Sequence, residues 1–258
     1  MKKIYRYFLI ILTTHLTANI MPDYDYLCDS LQSYPANINP LDNPEQIEYF
    51  SQKVPKIIHR IWFGDPLKLS QSSSPNEIWE DYAEIFGYEY YFWSEKDDPF
   101  LNSFMDPKNF DLMVLLRNIG EYWGASDILR YELMKKFGGI YIDCDFSRPT
   151  SDNTLFDFSE IIPLQGLTLV PEYLSRDIGS YTALFITNGF IVSPPNHPLI
   201  CSFVKQVYQN AMKWYQDRNN FYAVYATGPM FTNRVLSGYF SVMSMTYIES
   251  FMGNLFFQ

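Results

Sequence analysis

The residues of this 258-residue chain best suited to chemistry lie in one short stretch: Asp127, Arg130, Asp143 and Asp145. Asp143 and Asp145 stand two apart after Ile140-Tyr141-Ile142, which reads as a short buried strand. Side chains alternate along a strand with period two, so both carboxylates are expected on one side. Oxygen ligands so placed suit a hard divalent ion such as Mg²⁺ or Mn²⁺, which keeps few protein ligands and leaves positions for phosphate oxygens. Such an ion offsets the negative charge of a departing diphosphate where water is excluded. A D-x-D pair alone equally fits a solvated strand end, so its setting decides. Asp127 and Arg130, three apart on the preceding helix, lie on adjoining parts of one face, beside the apolar stripe. As a surface ion pair they would contribute only about 0–1 kcal/mol. As a functional pair, the aspartate would accept hydrogen bonds from ligand hydroxyls and the arginine would hold hydroxyl or phosphate oxygens.

The elements that must position these groups are legible nearby. Ser126 is a candidate helix cap, and Leu129, Leu133 and Phe137 recur at a four-residue step. Lys135 and Lys136 suit the negative C-terminal end of that helix, and Gly138-Gly139 stops it. Upstream, Pro55 to Gly64 gives an apolar run bounded by Pro and Gly, a buried strand leading into a loop. Helices are predicted over Trp79 to Phe86, Asp111 to Tyr122 and Met230 to Leu236, with a strand over Tyr88 to Trp93 and a loop over Ser70 to Pro75. This alternation predicts an α/β fold around a mostly parallel sheet flanked by helices.

Composition bounds the function classes. An apolar content of 47% is enough for one sizeable core. A net charge of −10 argues against nucleic acid as a partner, since capture of that polyanion relies on a basic footprint. The 21 Tyr and 21 Phe suit stacking on sugars or bases, and equally a Tyr/Phe-rich core. Cys28, Cys144 and Cys201 are too few and scattered for a disulfide framework or a zinc site, though one bridge can form. Cys144, between the two aspartates, reads as a small filler on the opposite strand face. Residues 1–18 place Lys2, Lys3 and Arg6 before an apolar run from Tyr7 to Leu12, the layout of a signal peptide or a short membrane-proximal segment. Residues 19–53 read as a surface-wrapping arm with one short helix near Glu45 to Phe50, and residues 54–258 as the folded domain.

Taken together, Ser126-Asp127…Arg130 and Gly138-Gly139-Ile140-Tyr141-Ile142-Asp143-Cys144-Asp145, with Pro55 to Gly64, resemble the glycosyltransferases with a DXD sugar-binding region. That family includes yeast-type initiating α-1,6-mannosyltransferases and is related to the large clostridial glucosylating toxins. Asn188-Gly189-Phe190, His197-Pro198 and Thr227-Gly228-Pro229 follow in the family's order, so the resemblance covers roughly residues 54–236. It implies a GT-A type fold, a UDP- or GDP-sugar donor, Mn²⁺ or Mg²⁺, and transfer with retention of anomeric configuration to a glycan, polysaccharide or protein hydroxyl. Carried over by position, Trp62 stacks near the base, Asp127 and Arg130 hold the donor sugar, and Tyr141 supports the donor. Asp145 is then the firmer metal ligand, Asp143 serves ribose or a water-mediated metal contact, and Asn188 meets the sugar or acceptor unless Asn-Gly is a plain turn. Thr227-Gly228-Pro229 either offers a backbone amide to the diphosphate or is itself a turn. His59, inside an apolar strand, is expected to be a satisfied core residue, and His197 to be structural. The family's C-terminal His, Trp, Glu or Ser group has only Glu249 and Ser250 as candidates here. That departure keeps open a non-catalytic or partner-dependent sugar- or nucleotide-binding protein of the same fold. A phosphoesterase using Asp143 and Asp145 is a remoter rival, since such sites gather more His and Asp ligands than a chain of three histidines offers.

Overall fold

The computed structural model describes residues 52–65, 76–151, 154–160, 162, 164–174, 183–218 and 221–240. The apolar run after Pro55 forms strand β1 (Ile57–Ile61), as the sequence predicts. Helix α1 (Asn76–Phe86) returns the chain to β2 (Glu89–Trp93), which lies parallel to β1. A short helix, α2 (Asp98–Leu101), then leads to α3 (Pro107–Asn118) and α4 (Tyr122–Lys136), and β3 (Gly139–Ile142) pairs parallel with β1 on its other side. After a small two-stranded unit of β4 (Thr150–Ser151) and β5 (Thr154–Leu155), strands β6 (Thr168–Leu174) and β7 (Ala183–Ser193) complete the main sheet. Helices α5 (Pro198–Arg218), α6 (Ala223–Ala226) and α7 (Pro229–Phe240) follow.

The sheet order is β2-β1-β3-β7-β6. The α/β architecture with flanking helices is the expected one and is consistent with a GT-A type, but the pairing is mixed rather than mostly parallel. β2, β1 and β3 run parallel, whereas β7 is antiparallel to both β3 and β6. The reason lies in the connections. Parallel neighbours need a crossover of a dozen or more residues, which α1 and then α3 with α4 supply, whereas β6 ends at Leu174 and β7 begins at Ala183, too short a link for one.

Alternation along the strands divides the core in two. Ile58, Ile140, Ile142, Phe190 and Val192 pack with Trp79, Tyr82 and Ala83 of α1 and with Phe158. Ile61, Tyr141 and Ile191 belong to the larger cluster built from α3, α4, α5 and α7. Helix α4 begins at Tyr122 after Glu121, so Ser126 is an interior residue and not the cap. α3 likewise starts earlier than predicted, after Asp106, whose side chain accepts from the Lys108 amide. Ten of the 15 residues of α4 are buried, among them Asp127 and Arg130. The apolar stripe therefore does not mark one covered face; most of the helix circumference is covered, as for a helix sandwiched inside a core. The predicted stop holds: Gly138 and Gly139 have φ of +65° and +98°. A Cβ at Gly139 would stand 2.6 Å from the Ile57 carbonyl oxygen, which is how the chain turns tightly enough to lay β3 beside β1.

His59 is 1% exposed, and both ring nitrogens are engaged. Nδ1 accepts from Trp93 Nε1 at 3.1 Å, so the ring proton is on Nε2, which donates to the Gly138 carbonyl at 3.0 Å. Burial lowers its pKa to about 4, against the raising effect of the Gly138 carbonyl. Burial lowers that of His197 to about 4 as well. Because these folded-state values lie below the unfolded one, the stabilisation is complete above pH of about 6.5 and is lost as pH falls through about 4. For His59 the loss should reach about 3 kcal/mol. Urea unfolding at pH 7 and pH 4 checks this: the drop should be smaller in His59→Gln than in the wild type, and an equal drop would refute it.

Among the described residues no helix is long and apolar enough to cross a membrane. The leader-like segment, the arm up to residue 51, the loop at 70–75, and Cys28, Glu249 and Ser250 lie outside the described residues.

Candidate active site

One guanidinium organises the site. From the middle of α4, Arg130 Nη2 reaches Asp127 Oδ1 at 3.0 Å, one helical turn back, and Asp143 Oδ1 at 3.0 Å, just past the end of β3. Its Nη1 donates to the Asn188 carbonyl of β7 at 2.5 Å. The Tyr141 ring lies 4.5 Å from the guanidinium carbon, and the Tyr141 hydroxyl donates to Asp143 Oδ1 at 2.6 Å. Side-chain exposure is 5% for Arg130 and 8% for Asp127 but 34% for Asp143, so Asp143 stands where the buried network meets solvent. The Asp127–Arg130 pair is thus not a surface ion pair but a buried one, and it ties α4 to β3 and β7.

Asp127 is further held by Thr227 Oγ1 at 2.8 Å and by Asn188 Nδ2 at 2.8 Å. Asn188 Nδ2 also donates to the Tyr131 hydroxyl at 2.9 Å, and that hydroxyl donates to the Thr227 carbonyl at 2.7 Å. A carboxylate has about four acceptor positions. Arg130 and Asn188 occupy Oδ1 and Thr227 takes one on Oδ2, leaving an acceptor position on Oδ2. A Cβ at Gly228 would stand 3.0 Å from the Ala223 carbonyl oxygen and 3.2 Å from Asp127 Oδ2, so the glycine packs close against this carboxylate. Burial raises the Asp127 pKa to about 6, against the lowering effects of Arg130 and Thr227. Burial also opposes the charge on Arg130, but Asp143, Tyr141 and Asp127 outweigh it and hold its pKa above the ordinary value. Asp143 is raised by burial, opposed by Arg130 and by the Tyr141 hydroxyl, with the charge of Asp145 adding to the rise.

Asn188-Gly189 is not a plain turn; it lies within β7. Between Ile186 and Ile191 five residue steps of β7 face only two of β6, from Leu169 to Pro171. Extra residues in one strand form a bulge, which re-aims side chains. Asn188 thereby turns toward α4, although it shares parity with Phe190 and Val192, which pack on the other face. Gly189 is required at the same place: a Cβ there would stand 2.6 Å from Asp143 Oδ2.

The two aspartates are not arranged by strand alternation. β3 ends at Ile142, the Asp143 amide donates to the Gly189 carbonyl at 2.8 Å, and the Phe146 amide donates to the Asp143 carbonyl at 3.2 Å, closing a turn. Asp145 is exposed in that turn. Cys144 is buried, its thiol donates to the Ile61 carbonyl at 3.3 Å, and burial raises its pKa to about 11, so it fills space as expected. The Ile61 contact sets the turn beside the end of β1, where Trp62 follows. The Trp62 amide donates to the Trp93 carbonyl and its Nε1 to the Asp65 carbonyl, placing it at the same edge as the aspartates. This edge is the carboxyl end of the parallel strands, where open α/β sheets bind ligands.

Asp127, Arg130, Tyr141, Asp143 and Asn188 thus form one bonded network, with Asp145 in the adjoining turn and Trp62 along the edge. Sequence reasoning missed Tyr131, hidden among apolar helix positions, and the Thr227 side chain, although the Thr-Gly-Pro sequence had marked its position. Among the described residues no three His, Cys, Asp or Glu side chains group as a metal cluster.

Residues 71–160 match the family model described as a glycosyltransferase sugar-binding region containing DXD motif. The chain is 21% identical over 186 residues to inositol phosphoceramide mannosyltransferase 1 of Schizosaccharomyces pombe, covering 70% of this chain and 50% of that protein. It is 28% identical over 160 residues to the uncharacterized glycosyltransferase L373 of Acanthamoeba polyphaga mimivirus, covering 60% and 56%. The chain therefore spans about half the length of these curated relatives. Solved structures similar to it include the PaToxG glycosyltransferase, with TM-score 0.49, 15% identity, and coverage of 90% of this chain and 82% of that one. The UDP-bound glycosyltransferase domain from the YGT toxin has TM-score 0.41, 11% identity, and coverage of 74% and 78%. The matched region contains Asp127, Arg130, Tyr141, Asp143 and Asp145 and leaves out Trp62, Asn188 and Thr227, and over residues 71–160 this chain carries the DXD-motif glycosyltransferase sugar-binding region.

Proposed function

We propose that the chain is a retaining glycosyltransferase that moves a hexosyl unit from a UDP- or GDP-sugar to a hydroxyl of a glycan, polysaccharide or protein. The observation that carries this reading is the Arg130 guanidinium, shared between Asp127 and Asp143 at the carboxyl edge of the parallel strands. It supplies fixed positive charge between a carboxylate with an acceptor position to spare and the exposed aspartate turn. Asp127 accepts a donor-sugar hydroxyl through Oδ2, Asn188 fixes the Asp127 rotamer and Tyr141 fixes that of Asp143. Trp62 offers a face to the base. Arg130 stabilises the diphosphate oxygens as the bond to the sugar breaks, and the acceptor hydroxyl attacks from that same face, passing its proton to the departing phosphate oxygen. No protein nucleophile is required, and His59, enclosed in the core, is not a base for this step.

The residues fit a divalent cation. Asp145 is exposed, Asp143 is a third exposed, and the mutual repulsion of two neighbouring carboxylates is what a cation relieves. Asp145 would be the firmer ligand, since Asp143 already serves Arg130 and Tyr141. When bound, Mn²⁺ or Mg²⁺ would neutralise charge on the leaving diphosphate. The name of the yeast relative, a mannosyltransferase, puts mannosyl donors among those to try first. The leader-like residues 1–18 support a secretory-pathway or cell-envelope location, and membrane proximity through that segment is part of the proposal.

Calorimetric titration with UDP and GDP, with and without Mn²⁺, tests the site: metal-enhanced binding of one nucleotide is expected, and binding of neither would contradict the reading. The existing bonds of Asp143 to Arg130 and Tyr141 favour a second reading, a binding module without turnover. Nucleotide binding without sugar release would select it. Gly189→Ala supplies an internal check. Its methyl would displace Asp143, and a misplacement near 1 Å can cost about a hundredfold in rate. Donor turnover should fall 10- to 100-fold, by about that principle's scale, while the urea midpoint moves little; unchanged turnover would show that Asp143 is not needed where it stands.

A further inference from the structure

Arg60, in the run from Pro55 to Gly64, is fully buried at 0% exposure, an expensive place for a permanent charge. Its Nη2 donates to the carbonyl of Cys144, the residue between the two aspartates, at 3.0 Å. Its Nη1 donates to Asn76 Oδ1 at 3.2 Å, an oxygen that also accepts from the Tyr90 hydroxyl at 3.0 Å. Its guanidinium carbon lies 5.4 Å from the Trp79 ring. The fork is therefore fixed by α1 and β2 on one side and grips the aspartate turn on the other. Asp143 itself is held by Arg130 and Tyr141 through its side chain and by Gly189 through its amide, and beyond it the turn has the Phe146 amide bond to Asp143 and the Cys144 thiol contact to Ile61. A carbonyl held by a charged donor is held more strongly than by a neutral one, and this carbonyl lies in the backbone that joins the two carboxylates.

We propose that Arg60 is a positioning residue for the site: through the Cys144 carbonyl it sets the relative placement of the Asp143 and Asp145 carboxylates, and so the turn's affinity for a divalent cation. The cation part rests on the function proposed above; the positioning part does not. Arg60 touches neither aspartate side chain in these contacts and is not assigned a catalytic role.

Two readouts on the full-length chain test this in wild type, Arg60→Gln, Arg60→Lys and Asn76→Ala. The first is hydrogen exchange, by mass spectrometry, of the peptide spanning residues 143–149 compared with peptides from β1, β3 and α1. The second is Mn²⁺ binding followed by electron paramagnetic resonance without nucleotide. In Arg60→Gln, exchange in the turn peptide should rise at least 10-fold with the other peptides unchanged, and half-saturation by Mn²⁺ should rise at least 10-fold. Arg60→Lys, which keeps the charge and one donor, should recover part of both. Asn76→Ala, which loosens the far side of the fork, should shift both in the same direction by less. A turn peptide no more exchangeable than in the wild type, or one that exchanges faster only in step with the whole core, overturns the proposal. Should the wild type bind no Mn²⁺, the metal part of the proposed function fails, and the exchange pattern still decides the role of Arg60.

Discussion

Replacing Asp145 with alanine should remove chelator-sensitive sugar release, lowering turnover by about 100- to 1000-fold, the usual scale for losing one group that stabilises developing charge. The urea midpoint should stay where it is. The two halves of this expectation come from the same fact: Asp145 is exposed in a turn past the end of β3, so its carboxylate is available to a ligand and owes little to the fold. Surface substitutions of this kind usually change stability by about 0.5 kcal/mol or less. Asp145→Asn, of nearly the same shape, separates charge from bulk and should fall almost as far. Turnover within threefold of the wild type in either variant would remove Asp145 from the site.

Arg130→Ala should behave in the opposite way, hurting the fold as well as activity. It leaves Asp127 buried without its cation, and removing one partner of a buried pair typically costs about 3–5 kcal/mol. The deficit has a definite pH dependence. Burial already raises the Asp127 pKa to about 6, and losing Arg130, which lowers it, raises it further. A raised folded-state pKa means stabilisation that is present below the unfolded-state value and lost as pH rises through the folded-state one. The variant should therefore lag the wild type more at pH 8 than at pH 5. Urea unfolding at the two pH values checks this, and a deficit under 1 kcal/mol or independent of pH would show that the network is not held by that ion pair. Arg130→Lys restores charge but not the fork that reaches Asp127, Asp143 and the Asn188 carbonyl together, and should recover only part of the loss.

What could be read from the sequence follows a physical divide. Local signals were reliable: Gly138-Gly139 ends α4 because both glycines adopt positive φ, and within the run from Pro55 the residues Ile57 to Ile61 form a buried strand. The residues Asp127, Arg130, Tyr141, Asp143, Asp145 and Asn188 were identifiable by type and order, and the fold gathers them at one edge. What failed depends on long-range packing. Ser126 looks like a cap, yet packing of α3 and α5 on α4 lets the helix begin at Tyr122. Asp127 and Arg130 look exposed on a stripe-based reading, but β3, β7 and α6 close over them. The antiparallel half of the sheet was not assigned from the sequence, because it depends on pairing between β3, β7 and β6, and the bulge that aims Asn188 exists only as a mismatch between β6 and β7. The carboxylate pair was picked out as two residues sharing one strand face, whereas the structure places them past the end of β3 in a turn whose Cys144 carbonyl is held by Arg60.

The central claim is that the aspartate turn at the end of β3 serves a nucleotide-sugar donor. The most direct measurement is release of free nucleoside diphosphate by the purified chain from each common UDP- and GDP-sugar with Mn²⁺, with and without chelator. Release from one donor, lost on chelation, is the predicted result and would name the sugar at the same time. Silence across the panel, with no binding of either nucleotide, would contradict the account.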